Sequence, residues 1–372
     1  MLTDEPTTTG ISTTPPGADS EGEGERGRAT KPLAILCIAQ SGQGTGSLQR
    51  TQALRRLGHH VTVVDPFEFG PKSLRARAVD YKTGYRFTRW LVARRLLQHL
   101  GGARFDLVWV QGGVQIGPDL VRSLRSQARA VVNYNNDDPY GGRDGRRFDT
   151  YRAAVPEYDK VYVLRNQNVA ESYAAGARAV ERLWFAYDDV AHRADPLTVE
   201  ERQTWASDVL FVGTYMPERG PFMAELIRRG VPLSIWGDRW DRAPEWETIK
   251  PAWRGPGLFS DDYSRALRGA KICLGLVSKG NRDQHTIRSV EIPAVGTLLC
   301  AERTAEHQAL YKEDSEAVFW GSAEECAGVC ERLLASPERI EQIAAAGHAR
   351  VRSLRLSHEQ MLADAIGRLE LV

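Results

Sequence analysis

Long apolar runs are missing from this chain of 372 residues. No stretch approaches the roughly 18 apolar residues of a membrane span. The N-terminus lacks the apolar core of a signal peptide, so a soluble, cytoplasmic protein is expected. Charge of one sign is missing as well: 49 Lys and Arg against 48 Asp and Glu leave a formal net charge of +1. That excludes a global basic field, and with it nucleic-acid binding as the main task. Cysteine is scarce, with five in all. Cys37, Cys273 and Cys300 lie in short apolar runs, where cysteine acts as a small buried hydrophobe. Cys326 and Cys330 are four apart, unlike a zinc knuckle or a redox pair. Buried thiols in a reducing compartment follow, with no metal site expected. Residues 1–30 contain almost no large apolar side chains and are expected to form a disordered tail.

Ordinary globular material follows. Leu33–Ala39 fits a strand buried on both faces. A Gly-rich turn at Gly42, Gly44 and Gly46 and a helical pattern come next, then the strand His60–Asp65. Further strands are expected at Asp106–Gln111, Ala130–Tyr134 and Lys160–Leu164. A polar stretch from about Arg193 to Ser207 reads as a linker. The alternation restarts at Val209–Thr214 and continues through Pro232–Gly237, Lys271–Val277, Thr297–Cys300 and Ala317–Phe319. Helices are expected at Glu324–Leu334, Pro337–Ala345 and Glu359–Leu369. Strands alternating with helices predict an α/β fold of two Rossmann-like, doubly wound lobes facing a cleft.

Chemistry-bearing residues gather at strand ends. The first turn has the spacing G-x-G-x-G rather than G-x-G-x-x-G, with Asp65 about 20 residues on. A dinucleotide site and a structural tight turn are both compatible with it. In the second lobe, Phe211-Val-Gly-Thr214 ends a strand shortly before Arg219. Gly213 permits close approach of backbone to a ligand, and Arg219 offers a planar fork for phosphate oxygens. Trp236-Gly237 ends the next strand. Gln284-His-Thr-Ile-Arg-Ser-Val-Glu291 opens a helix on which Arg288 and Glu291 share a face, either as a surface ion pair or as part of a site. In the first lobe, Asn135-Asn-Asp-Asp-Pro139 follows a strand. Asp137 or Asp138 there is a candidate general base, and an Asp-rich turn before proline is the alternative. Arg143, Arg146 and Arg147 could bind an anionic acceptor or form a solvated basic loop.

Together these pieces resemble the GT-B glycosyltransferases, and within them the CgeB-like, spore-maturation-protein-like group. The resemblance rests on F-V-G-T-x-x-x-x-R at 211–219, Ile-Trp-Gly-Asp-x-Trp at 235–240, Thr286-x-Arg-x-x-Glu-x-x-Ala-x-Gly296 and Ile343-Ala-x-x-Gly-x-x-Arg-Val351. It implies an acceptor lobe over 31–192, a linker at 193–204, a donor lobe over 205–355, and a last segment, 356–372, returning to the first lobe. It further implies that Gly213, Thr214 and Arg219 face a donor diphosphate and that Glu291 holds the nucleotide ribose. Arg288 and His285 would lie near phosphates or sugar, with Trp236 and Gly237 beside the nucleotide. Many retaining GT-B enzymes carry a Glu-x7-Glu pattern. Here its first position is Asp283, which leaves the stereochemical outcome open.

The activity so implied is metal-independent transfer of a sugar from a nucleoside-diphosphate sugar, a UDP- or dTDP-sugar, to a small-molecule or glycan acceptor. No separate cofactor is expected, since the sugar nucleotide is a co-substrate. A sugar-nucleotide epimerase and a non-catalytic sugar-nucleotide-binding protein are the alternatives, because one fold hosts many functions.

Overall fold

The computed structural model describes residues 15, 31–42, 45–369 and 371. The expected tail lies outside them apart from Pro15, as do Gln43 and Gly44 of the Gly-rich turn.

In the first lobe the strands are β1 Ala34–Ile38, β2 His60–Val64, β3 Phe105–Gln111, β4 Ala128–Asn135, β5 Lys160–Val163 and β6 Val180–Arg182. In the second they are β7 Ser207–Val212, β8 Leu233–Trp236, β9 Trp253–Gly255, β10 Ala270–Gly275, β11 Leu298–Glu302 and β12 Val318–Trp320. Two six-stranded sheets result, ordered β2-β1-β3-β4-β5-β6 and β12-β11-β10-β7-β8-β9. Neighbouring strands pair in parallel, as β1 does with both β2 and β3, and β10 with both β7 and β11. This is the doubly wound architecture that the alternation predicts, and its cause is visible in the side chains. Helices cover both faces of a parallel sheet, so central strands must be apolar on both. Ile35 and Cys37 of β1 pack on one side, Leu36 and Ile38 on the other. Val209 and Phe211 of β7 point into one core, Leu210 and Val212 into another.

The polar stretch between the lobes is less plain than its composition predicts, for it contains the helix Val199–Trp205. No residue of that helix is buried, and Thr198 and Glu201 form a reciprocal capping box at its start. A helix held by its cap rather than by an apolar stripe leaves no periodic signal. At the other end of the chain, the helix His358–Gly367 lays Met361, Leu362, Ala365 and Ile366 against Ile35, Ala53 and Leu54 of the first lobe. The Tyr162 hydroxyl donates to the Ala365 carbonyl at 3.0 Å.

Candidate functional site

Within the second sheet the chain runs outward from β7 through β8 to β9, then returns to β10 on the other flank of β7. Loops leaving β7 and β10 therefore diverge and open a crevice beyond the carboxyl ends of the strands, where doubly wound sheets bind ligands. Gly213 and Thr214 follow β7, and the segment 276–283 follows β10. The Gly213 amide donates to the Trp236 carbonyl at 2.8 Å, and the Trp240 indole donates to the Gly213 carbonyl at 2.9 Å. A Cβ on Gly213 would meet the Phe211 ring at 2.8 Å, and one on Gly237 would meet the Gly213 carbonyl oxygen at 2.0 Å. Two glycines thus let the turn after β7 seat directly on the turn after β8.

Arg219 is the first residue of the helix Arg219–Arg228 and is 2% exposed. One guanidinium nitrogen donates to the Thr214 carbonyl at 2.7 Å, while its Nε is buried without a partner. Arg288 opens the helix Arg288–Ala294, and its Nε is likewise buried and unpartnered. Both guanidinium carbons stand over the Phe211 ring, 5.4 and 5.7 Å from its centre. Neither arginine has a carboxylate within 4.0 Å among the described residues. Burial, and then the nearby Arg288 charge, hold the Arg219 guanidinium below its usual range of basicity. Two like charges at a crevice, neither paired with a carboxylate, make a receptor for an anion with several oxygens.

Glu291 lies one turn beyond Arg288 and is buried rather than part of a surface ion pair. Its carboxylate accepts from the Tyr263 hydroxyl at 2.6 Å and lies 3.4 Å from His192 Nε2. His192 Nδ1 accepts from the Asp188 amide, so Nε2 carries the proton and faces Glu291. The Trp236 ring packs on Trp205 and over Gly255, so its backbone rather than its indole serves the turn. His285 has both ring nitrogens engaged by the protein. Its Nδ1 binds Glu306 at 2.6 Å and its Nε2 accepts from the Phe185 amide at 3.2 Å, which consumes both nitrogens at the junction of the lobes.

Across the cleft, the geometry separates the two first-lobe candidates. Asp138 is buried and accepts from Arg282 through both oxygens, at 2.5 and 2.7 Å, as well as from Asn168 and the amides of Tyr140 and Gly141. Despite its burial, these donors hold its carboxyl below the usual carboxylate range. Such a group is a poor proton acceptor, and its bond to Arg282 of the second lobe makes Asp138 a latch between the lobes. Asp137 is half-exposed, stands 3.4 Å from Arg147, and is close enough for its charge to act on Asp283 of the second lobe. Burial pushes the Asp283 carboxyl up to about 6, while Arg165 donates to it from the first lobe at 2.8 Å. Arg143 crosses the cleft to the Ser278 hydroxyl at 2.8 Å, whereas Arg146 and Arg147 pair with Asp149 and Asp144.

The sequence reading missed Arg165, Glu171 and Arg282, because a partner more than 100 residues away leaves no local pattern. The structure marks one of them: Arg282 adopts φ 52°, strain that persists only where surroundings enforce it. In the Gly-rich turn, Asp65 accepts from the Ser41 amide at 3.0 Å and the Phe67 amide at 2.9 Å, which is turn chemistry. Among the described residues, the one group with metal-ligand spacing is Cys300, Cys326 and Cys330. Their sulfurs lie within 4.8 Å of one another, buried in the second lobe's core. A groove of about 510 Å³ opens at the amino ends of β10 and β11, the opposite edge of that sheet from the crevice.

A family model described as glycosyl transferase-like matches residues 219–364, which contain Arg219, Arg288 and Glu291. No curated protein matches the sequence significantly. Among solved structures, sucrose-phosphate synthase from Thermosynechococcus elongatus is similar with a TM-score of 0.67 at 15% identity, over 90% of this chain and 97% of that one. Anabaena HepE in complex with UDP-glucose gives 0.63 at 13%, over 90% and 100%. An alpha,alpha-trehalose-phosphate synthase (UDP-forming) from Burkholderia vietnamiensis gives 0.59 at 11%, over 92% and 100%. These likenesses establish the GT-B fold for this chain.

Proposed function

We propose that this GT-B protein is a glycosyltransferase that takes its sugar from a nucleoside-diphosphate donor. The observation that carries the reading is the pair of uncompensated arginines, Arg219 and Arg288, at the switch-point crevice of the second sheet. A diphosphate supplies the missing counter-charge, and the amino end of the helix Arg219–Arg228 adds its dipole. As the sugar–phosphate bond breaks, charge grows on the leaving diphosphate, so the same groups stabilise the transition state without a metal. Glu291, oriented by Tyr263 and His192, accepts from the ribose hydroxyls. Asp137 takes the acceptor proton from the opposite wall. Asp283, tied to Arg165, borders the sugar position. HepE, solved with UDP-glucose, supports a uridine donor over a thymidine one. The order of second-lobe motifs supports placement in the CgeB-like group.

Calorimetric titration with UDP tests this. Arg219→Met should lower affinity about 10- to 150-fold, the worth of one charged hydrogen bond of roughly 1.5–3 kcal/mol. The ligand-free variant should melt no lower than wild type, because a buried charge without counter-charge is removed. A variant that binds UDP normally but unfolds early would make Arg219 structural and end this reading. Chelator must leave UDP binding intact, and Glu291→Ala must weaken UDP but not 2′,3′-dideoxy-UDP.

A further inference from the structure

Ten large apolar side chains are exposed among the described residues, and five of them, Leu74, Val79, Tyr81, Phe87 and Trp90, fall within one short segment of the first lobe. Their exposures run from 43% to 82%. The helix Leu74–Thr83 buries a single side chain, Asp80, which is too little to hold a helix on a globular surface. The next helix, Arg89–Leu100, buries Val92, Leu96 and Leu100 and turns Trp90, Arg94 and Arg95 outward. Positive charge is concentrated in the same place. Between residues 72 and 95 there are eight lysines and arginines against one acid, in a chain whose net charge is +1. Elsewhere arginines find acids readily, as Arg122 finds both Asp119 and Glu157. None of these eight has a carboxylate within 4.0 Å among the described residues.

We infer that this face of the first lobe docks on an anionic lipid bilayer. Aromatic and aliphatic side chains interleaved with cations suit the headgroup boundary, where the former enter the acyl edge and the latter meet phosphates. Arg86, stacked 4.4 Å over the Phe87 ring, combines both functions in adjacent residues. No helix of the described residues is long and apolar enough to cross a membrane, so the contact lies in the membrane plane. The patch is continuous with the cleft. The Tyr81 hydroxyl donates to Asp144 at 3.4 Å, and Arg147, which pairs with Asp137, stands 5.6 Å from the Tyr81 ring centre. Docking there brings the acceptor wall of the cleft to the lipid surface, as a lipid-borne acceptor requires.

Co-sedimentation of the full chain with lipid vesicles tests the inference. Vesicles of phosphatidylcholine with about one third phosphatidylglycerol should bind it, and pure phosphatidylcholine should not. Phe87→Ser with Trp90→Ser, and separately Arg75→Glu with Arg86→Glu, should each weaken binding at least about tenfold. Both variants should keep the wild-type melting temperature, since the side chains are exposed. Equal binding to neutral and anionic vesicles, or full binding by either variant, overturns the inference. So does a dimer in light scattering that the charge reversal splits, which would assign the patch to a second copy. UDP titration of the same samples reads the donor site independently, so one reading can fail without the other.

Discussion

Arg219 and Asp138 are both charged and buried, and their partners decide what each can do. Asp138 has every oxygen engaged and is fixed; Arg219 lacks counter-charge and is available. The buried histidines illustrate the same principle through pH. Burial lowers the basicity of His285, His307 and His358, with His307 brought down to about 4. His307 Nδ1 donates to the Glu302 carbonyl at 2.6 Å, and its Nε2 lies 2.7 Å from the Ser289 hydroxyl. An unfolded chain protonates these rings near pH 6.5 and the folded one refuses, so the unfolded state binds more protons and stability falls as pH falls. Burial raises the carboxyls of Asp283, to about 6, and of Glu359, and these act in the opposite sense and offset part of the loss. Thermal melts should therefore show a loss of roughly 2 kcal/mol or more between pH 7 and pH 5. A melting temperature that stays level or rises over that interval contradicts the neutral buried histidines.

At the scale of elements, the crevice of the second sheet rests on a junction of two turns. The turns after β7 and β8 touch through Gly213 and Gly237, with Trp240 pinning the first of them. Any Cβ on Gly237 collides with backbone, which cannot swing aside as a side chain can. Gly237→Ala should cost about 3 kcal/mol of stability, at the upper end of overpacking penalties. It should also reduce UDP affinity by displacing Thr214 and Arg219. Chemical denaturation and UDP titration check the two effects, and an alanine variant of native stability would mean that the turns part without cost. The strands that sequence patterning missed, β6 and β9, are three residues long and sit at sheet edges. One is the half-exposed Val-Glu-Arg and the other the mostly exposed Trp-Arg-Gly. Edge positions tolerate polar side chains, so neither a continuous apolar run nor clean alternation marks them.

For the whole molecule, the relation of the lobes depends on charged pairs that cross the cleft. Arg282 joins the second lobe to Asp138 and Glu171 of the first, and Arg182 joins the first to Glu306 of the second. Arg282→Ala strands the Asp138 carboxylate in a buried position. Because Arg282 itself is 35% exposed, the loss should be about 1–3 kcal/mol rather than the full cost of breaking a buried pair. Small-angle scattering should show a larger radius of gyration in the variant, with UDP affinity of the second lobe retained. An unchanged radius would place the control of lobe closure elsewhere, in the hinge around His285 and Glu306.

Local chemistry is what the amino-acid order determined by itself. Short apolar runs between helical patterns specify parallel strands covered on both faces, and so the two doubly wound sheets. Glycines and an arginine at the end of β7 mark a turn where backbone segments approach closely beside a cation. The buried thiols Cys37, Cys273 and Cys300 were legible in the same way. Tertiary structure alone decided which charges meet. Asp137 and Asp138 are neighbours in an Asp-rich turn, yet one faces the cleft and the other is closed by an arginine 144 positions away. His285 stands immediately before the Thr286–Gly296 motif of the second lobe, and the fold engages its two nitrogens with Glu306 and the Phe185 amide. The physical reason is range: hydrogen-bonded turns and apolar periodicity act over a few residues and are written locally. Charge pairing and burial depend on distances between segments that only the folded chain brings together.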